Sequence, residues 1–451
     1  MIYSLGTSIT VDAFKYGKIP DCTAYFLSHF HSDHYCGLSS KWSHGPIYCS
    51  AVTANLVVQQ LRVNDRYIKR LPLNEEIEIE GTDINVTLID ANHCPGSVLF
   101  LFKDKLASGE IMRYLHTGDF RACPRHVLHS AVRQSINPEI DILYLDTTYL
   151  NPSYCFPAQE QVVNAIIDFV KKVVKNGEPL PMKQNKNKKN QQRDKSQLSL
   201  TQWITRKSQS SSDGVDPTRR VISGEILERG LSANEPTMEH KEQEQVRLEG
   251  SKILILVGTY LIGKEKVFQG IARALNSKIY ASDSKRKILL CQENPELTSL
   301  LTNDPREASV HVVPIKLLRY DSLQAYLKDL EPTFKYIMAF RPTGWSFRSS
   351  EEVKVTDKSN TQDILNKTSA YTMDSISPSN NSRTCQIFEV PYSEHSSFRE
   401  LAAFVTSLNV KRIIPTVNNG SERSRAEMES WLNQWQNNKI NKKIDVVPYP
   451  D

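Results

Sequence analysis

Short apolar runs, each closed by turn-forming or polar residues, recur along the first third of the chain. Strands are expected at 23–28, 46–50, 86–90, 97–102, 113–116 and 142–146. A helix is expected at 51–62. A second is expected at 158–175, where Val162, Val163, Ile166, Ile167 and Val170 recur at helical spacing. Further on, strand 252–257 leads into a helix near 264–275. Strands 336–340 and 386–390, helix 398–409, strand 412–417 and helix 424–438 complete the pattern. Strands alternating with helices read as a mixed α/β protein.

Two stretches break the pattern. Residues 181–250 are rich in Gln, Asn, Ser, Lys and Glu, and residues 349–384 in Ser, Thr, Asn and Asp. Neither has the apolar content to offset the entropy of ordering a chain, so both are expected to be disordered.

At 451 residues, two domains are expected, and a hydrophobic fraction of 39% agrees with a partly disordered chain. A net charge of +5 permits an anionic partner without demanding one. The eight cysteines show no CxxC spacing, which argues against a zinc ribbon or a disulfide framework and for reduced thiols in an intracellular protein. No apolar run approaches the length of a membrane span, and the N-terminus does not read as a signal peptide.

The chemistry concentrates in His29-Phe-His-Ser-Asp-His34, directly after the apolar run Ala24–Leu27. His29, His31, Asp33 and His34 place four potential ligands in six residues, in a chain with eleven histidines. Ligands at the end of a strand are fixed by the sheet yet open to solvent. Imidazole nitrogens with carboxylate oxygens suit zinc or a similar metal. His93 in Asp90–Gly96, Asp119 in His116–Arg121 and His395 in Tyr392–Ser397 each follow an apolar stretch in the same way. Loops of this kind can converge on one rim of a sheet.

The HxHxDH run with the later His and Asp resembles the metallo-β-lactamase fold. Leu145-Asp-Thr-Thr-Tyr149, Gly258–Glu265, Arg341-Pro-Thr-Gly-Trp345 and the Ser-Glu-His-Ser-Ser run resemble its β-CASP branch. Within that branch the chain is similar to the DNA cross-link repair nucleases, the group that includes Artemis and Apollo, and above all to its 5′-exonuclease members. The resemblance implies an αββα sandwich with an inserted β-CASP α/β domain. It divides the chain into 1–150, the β-CASP region 151–345 interrupted by 181–250, and 346–451 interrupted by 349–384. Val11-Asp-Ala-Phe14 already matches the family, so any N-terminal regulatory region is expected to be missing from this chain.

The resemblance also implies roles. His29, His31 and His93 would hold one metal, with Asp119 as a further or bridging ligand. Asp33, His34 and His395 would complete a second position, leaving one or two zinc ions open. Catalytic zinc keeps a coordination site for water and lowers its pKa toward ~7, so that a hydroxide can attack a phosphodiester. Asp12 would support a ligand from behind, the alternative being a solvent-facing turn residue. Asp146 is expected at the rim of the site. Val417 stands where RNA-processing members carry histidine and thus points to DNA.

Gly258–Lys264 has the GxxxxGK spacing of a phosphate loop, but Glu265 replaces the Ser or Thr that would bind magnesium, which argues against ATP hydrolysis. Lys264 and the helix start could instead hold one phosphate of a nucleic acid. The alternative is a tight turn with a surface lysine. Ser396 and Ser397 are candidates for the same terminal 5′-phosphate, or simply for capping helix 398–409. Lys183, Lys186, Lys188, Lys189, Arg193 and Lys195 could serve nuclear import or DNA backbone contact, or form a solvated linker. Gln197, Leu200, Trp203 and Ile204 resemble the peptide that docks on the replication sliding clamp, although Ile204 replaces the usual second aromatic.

These readings combine into a zinc-dependent nuclear DNA exonuclease acting from 5′-phosphorylated ends of single- or double-stranded DNA in interstrand cross-link repair, with no membrane role. The alternatives are a structure-specific endonuclease of the Artemis type, a DNA-binding scaffold with an inert metal site, and a hydrolase of a small ester or lactam.

Overall fold

The computed structural model describes residues 2–3, 8–133, 136–177, 253–347, 360–366, 370–380 and 382–440. The basic run and the segment Gln197–Ile204 lie outside the described residues. No helix among them is long and apolar enough to cross a membrane.

Two sheets face each other. One orders the strands Ile2–Tyr3, Ile9–Val11, Ala24–Phe26, Ile47–Ser50 and Ile68–Leu71. The other orders Val410–Pro415, Ile140–Leu145, Ile111–His116, Val98–Lys105, Ile84–Asp90 and Glu76–Glu78. Alternation along the strands builds the layers. Phe100, Phe102, Tyr114 and Tyr144 turn inward onto Phe26 and Tyr48. Phe26 meets Phe100 and Phe102 edge-on at 5.3 and 4.9 Å. The intervening Leu99, Leu101, Leu115, Leu143 and Leu145 turn outward, under helices Phe398–Thr406 and Glu422–Ile440. Helix Ala51–Leu61, capped by Ser50 accepting from the amide of Thr53, covers the first sheet. This is the expected αββα sandwich.

The third sheet is the expected inserted α/β domain. Its strands run Leu301–Thr302, Ile279–Ala281, Val310–Pro314, Ile253–Thr259, Tyr336–Pro342 and Cys385–Val390, and every pairing is parallel. Ile253, Ile255 and Val257 pack beneath helices Gln159–Asn176 and Glu265–Ala274, while Leu254 and Leu256 pack with residues of helix Tyr320–Lys328. Both faces are thus buried, which explains the unbroken apolar run.

Two expectations need correction. Strand Cys385–Val390 pairs with Tyr336–Pro342, so the third sheet extends past the expected boundary at 345. Nor is 349–384 disordered throughout. Thr361–Asn366 is a helix that buries Ile364 and Leu365 in the core beneath Phe404 and Trp435. Pro378 bridges to Phe388. Two well-placed apolar residues suffice to dock a one-turn helix, and average composition does not register them.

Candidate metal centre

Each ligand candidate leaves a strand end or a tight turn. His29 follows strand Ala24–Phe26. His31 starts the one-turn helix Ser32–Tyr35, which carries Asp33 and His34. His93 lies in the turn between the antiparallel strands Ile84–Asp90 and Val98–Lys105, which is held by the amide of Ala91 donating to Ser97 and that of Ser97 donating to Cys94. Asp119, Asp146 and His395 follow strands Ile111–His116, Ile140–Leu145 and Cys385–Val390. One ligand atom from each of His29, His31, His93 and Asp119 lies within 4.8 Å of the others, and so do atoms of Asp119, Asp146 and His395. Asp119 belongs to both sets.

Hydrogen-bond partners assign the ring tautomers. His93 donates from Nδ1 to the carbonyl of Glu394 at 2.8 Å. His31 donates from Nε2 to the carbonyl of Ile262 at 3.3 Å. The Ser28 hydroxyl donates to Asp12 at 2.6 Å, so it accepts from His29 Nδ1 at 2.9 Å. The three remaining nitrogens turn lone pairs toward one another. His29 Nε2 and His93 Nε2 lie 3.0 and 3.1 Å from His31 Nδ1. Unprotonated nitrogens that close repel unless a cation sits among them, so the donor set fits a metal. Burial, reinforced by the neighbouring rings, holds His29 and His93 well below the ordinary imidazole pKa, the neutral state a ligand requires.

The second position follows the same rule. His34 donates from Nδ1 to Asp12 at 2.7 Å, which leaves Nε2 3.3 Å from Asp119 Oδ2. His395 donates from Nδ1 to Asp146 at 2.8 Å, with Nε2 3.9 Å from the same oxygen. Burial opposes charge on His34, but Asp119 and Asp12 outweigh it and raise the ring well above its usual range. Burial likewise opposes charge on His395, and Asp146 with Asp119 raise it to about 9. Both rings thus sit where a positive charge is favoured, whether a proton or a metal. Asp33 stands 3.8 Å from His34 Nε2 with 70% of its side chain exposed, on the open side of the site.

Asp12 and Asp146 orient rings from behind. Asp146 is buried rather than at the rim, because its carboxylate also accepts from the amides of Phe120 and Thr148 and the Thr148 hydroxyl. Asp12 adopts a left-handed backbone, φ 51°, which asparagine tolerates. Asp12→Asn is therefore expected to lower metal affinity or activity by on the order of 10- to 100-fold, with little change in melting temperature. Metal titration of the stripped variant checks this, and an affinity equal to the parent's would reduce Asp12 to a turn residue.

The three residues expected to grip a terminal phosphate are engaged elsewhere. Ser396 Oγ donates to the carbonyl of Phe120 and accepts from the amide of Ala122. Ser397 caps helix Phe398–Thr406 in a reciprocal box with Glu400. The phosphate-loop spacing does cradle an anion, but the anion is the protein's own Glu394. Its carboxylate accepts from the Lys264 amide at 2.6 Å and from Lys264 Nζ at 2.8 Å. At Gly263, φ 108°, a Cβ would stand 2.7 Å from that carboxylate. Lys264 is accordingly buried and paired with Glu394.

Val417 accepts from the Thr147 hydroxyl through its carbonyl at 2.6 Å, beside the Asp146 loop. Ser28, Glu394 and Arg121 escaped sequence reasoning. The first two adjoin candidate ligands in sequence, which was the available signal. Arg121 was visible only as part of a motif.

Residues 11–173 match the β-lactamase superfamily domain, and residues 295–421 match the domain described as DNA repair metallo-β-lactamase. The chain is 39% identical to the DNA cross-link repair protein pso2/snm1 of Schizosaccharomyces pombe, over 94% of this chain and 62% of that protein. It is 36% identical to the DNA cross-link repair protein SNM1 of Arabidopsis thaliana, over 95% of this chain and 68% of the relative. With the 5′ exonuclease Apollo of Gallus gallus it shares 29% identity, over 91% and 62% of the two chains. It spans only 32% of the mouse DNA cross-link repair 1A protein, at 35% identity. With these matches and this donor set, the chain belongs to the family of DNA cross-link repair proteins built on the metallo-β-lactamase fold.

Proposed function

We propose that the protein is a metal-dependent DNA nuclease, a 5′-to-3′ exonuclease of interstrand cross-link repair with zinc as its metal. The observation that carries this reading is the set of five imidazoles, each fixed by an acceptor behind it, arranged about one shared carboxylate, Asp119. His29, His31, His93 and Asp119 would hold one ion. His34, His395 and Asp33, with Asp119, would hold a second. A bound divalent metal supplies a water acidic enough to attack at neutral pH and neutralises charge on the phosphate. The chain's part is to orient the ligands, through Asp12, Ser28, Asp146 and the Glu394 and Ile262 carbonyls, and through burial to keep His29, His31 and His93 neutral. The names of the relatives support DNA as substrate. The reading carries with it a nuclear location and, through Gln197–Ile204, docking on the sliding clamp.

Digestion of linear DNA with and without a 5′-phosphate, resolved by length, tests it. Products should shorten from the 5′ end. With Lys264, Ser396 and Ser397 engaged elsewhere, a slower cut of the 5′-hydroxyl end would assign the terminal phosphate to a different contact. Equal rates would remove phosphate recognition. Cuts inside a circular single strand would favour the endonuclease. Zinc-loaded protein that leaves every DNA intact would end the nuclease reading.

A further inference from the structure

We propose that Trp345 is a stacking platform for a nucleobase of the strand held at the metal centre. This rests on the DNA reading above.

The parallel strands Ile253–Thr259, Tyr336–Pro342 and Cys385–Val390 lie side by side and release their chains at one edge of the sheet. Ligands of α/β sheets collect at such carboxyl ends. The edge carries Ile262, whose carbonyl orients His31, and it carries His395. Between them the chain turns through Thr343-Gly-Trp345.

Trp345 is 56% exposed, an unusual position for the largest apolar side chain. It is nonetheless firmly mounted. Thr343 Oγ1 accepts from the Trp345 amide, and the Ser346 hydroxyl closes the turn onto the carbonyl of Thr343 at 2.8 Å. Gly344 allows the turn to press on Tyr149, because a Cβ there would stand 2.7 Å from the Tyr149 hydroxyl. The rings of Tyr149 and Tyr154 support the indole at 5.2 and 5.4 Å. Tyr149 also meets the ring of His395 at 6.0 Å. An aromatic path therefore runs from the metal ligand to a solvent-facing indole.

A pre-mounted ring loses little conformational entropy on binding. Every base has a π-face, so stacking on it would be tolerant of sequence, as a general exonuclease needs. Trp345 would act as a positioning residue, setting where the strand lies relative to the metal without touching the reacting phosphate.

The test compares the parent, Trp345→Ala and Trp345→Phe on a 5′-phosphorylated single strand, and on the same strand with its terminal nucleotides made abasic. Trp345→Ala should raise KM on the order of ten- to a hundredfold, the range expected for one lost base stack. Its kcat should stay within about threefold of the parent's, and phenylalanine should restore most of the loss. On the abasic strand the parent should fall to the level of the alanine variant, because the partner of the indole is gone. An unchanged KM for Trp345→Ala would overturn the proposal. So would a penalty of equal size on both strands, which would assign Trp345 to local structure or to a protein partner. A parent that cuts neither strand would instead bring down the nuclease reading, and the platform with it.

Discussion

Asp119→Ala is expected to abolish DNA cleavage, by at least about a thousandfold, and to strip metal from both positions. The reason is geometric. Asp119 Oδ2 stands 3.7 Å from His29 Nε2, 3.3 Å from His34 Nε2 and 3.9 Å from His395 Nε2. No other carboxylate among the described residues joins the two ligand sets. Its own pKa is pushed well below the carboxylate range, because His34 and His395 outweigh the opposing cost of burial. It is therefore held ionised, as a metal requires. The fold should survive, since the hydrogen bonds anchoring the histidines run outward to other groups. Elemental analysis beside circular dichroism checks both halves. Full metal content with normal cleavage would remove Asp119 from the centre.

Arg121→Met should cost about 3–5 kcal/mol of stability, the usual result of removing one partner from a buried pair. The guanidinium is fully buried and donates to the Glu400 carboxylate at 2.9 Å. It also donates to the carbonyls of Ser393 and Pro157 at 2.7 and 2.8 Å. It sits over the Phe156 ring at 5.0 Å. Methionine would fill part of the volume and satisfy none of these acceptors. Because Ser393 lies two residues from His395, metal affinity should fall as well. Urea unfolding at constant slope would show a lower midpoint, and a loss under about 1 kcal/mol would mean that water replaces the guanidinium.

Much of the site could be read from residue order. His29, His31, His34, His93, Asp119 and His395 each stand directly after an apolar run or within a short motif, and the structure brings all of them to one place. Strands read from short apolar runs, such as Ile253–Thr259, formed within a residue or two of expectation. The elements between 276 and 335 were not legible. Ile279–Ala281 is three residues long, and helices Asp283–Leu290 and Tyr320–Lys328 are eight and nine. Periodicity over so few positions does not separate helix from strand.

The two outcomes at residues 258–265 and 396–397 mark the boundary. Gly263 and Lys264 form an anion cradle, as their spacing implies, but spacing cannot name the occupant. Glu394 lies 130 positions away and fills it. Ser396 and Ser397 are spent on Phe120, Ala122 and Glu400 for the same reason. Local order determined the candidate ligand types, the strand ends that carry them and the layered α/β class, because these depend on chemistry and periodicity within a few residues. Tertiary packing decided which polar groups remain free. A buried hydrogen-bonding group takes whatever partner the fold brings within about 3 Å, and that partner comes from anywhere in the chain.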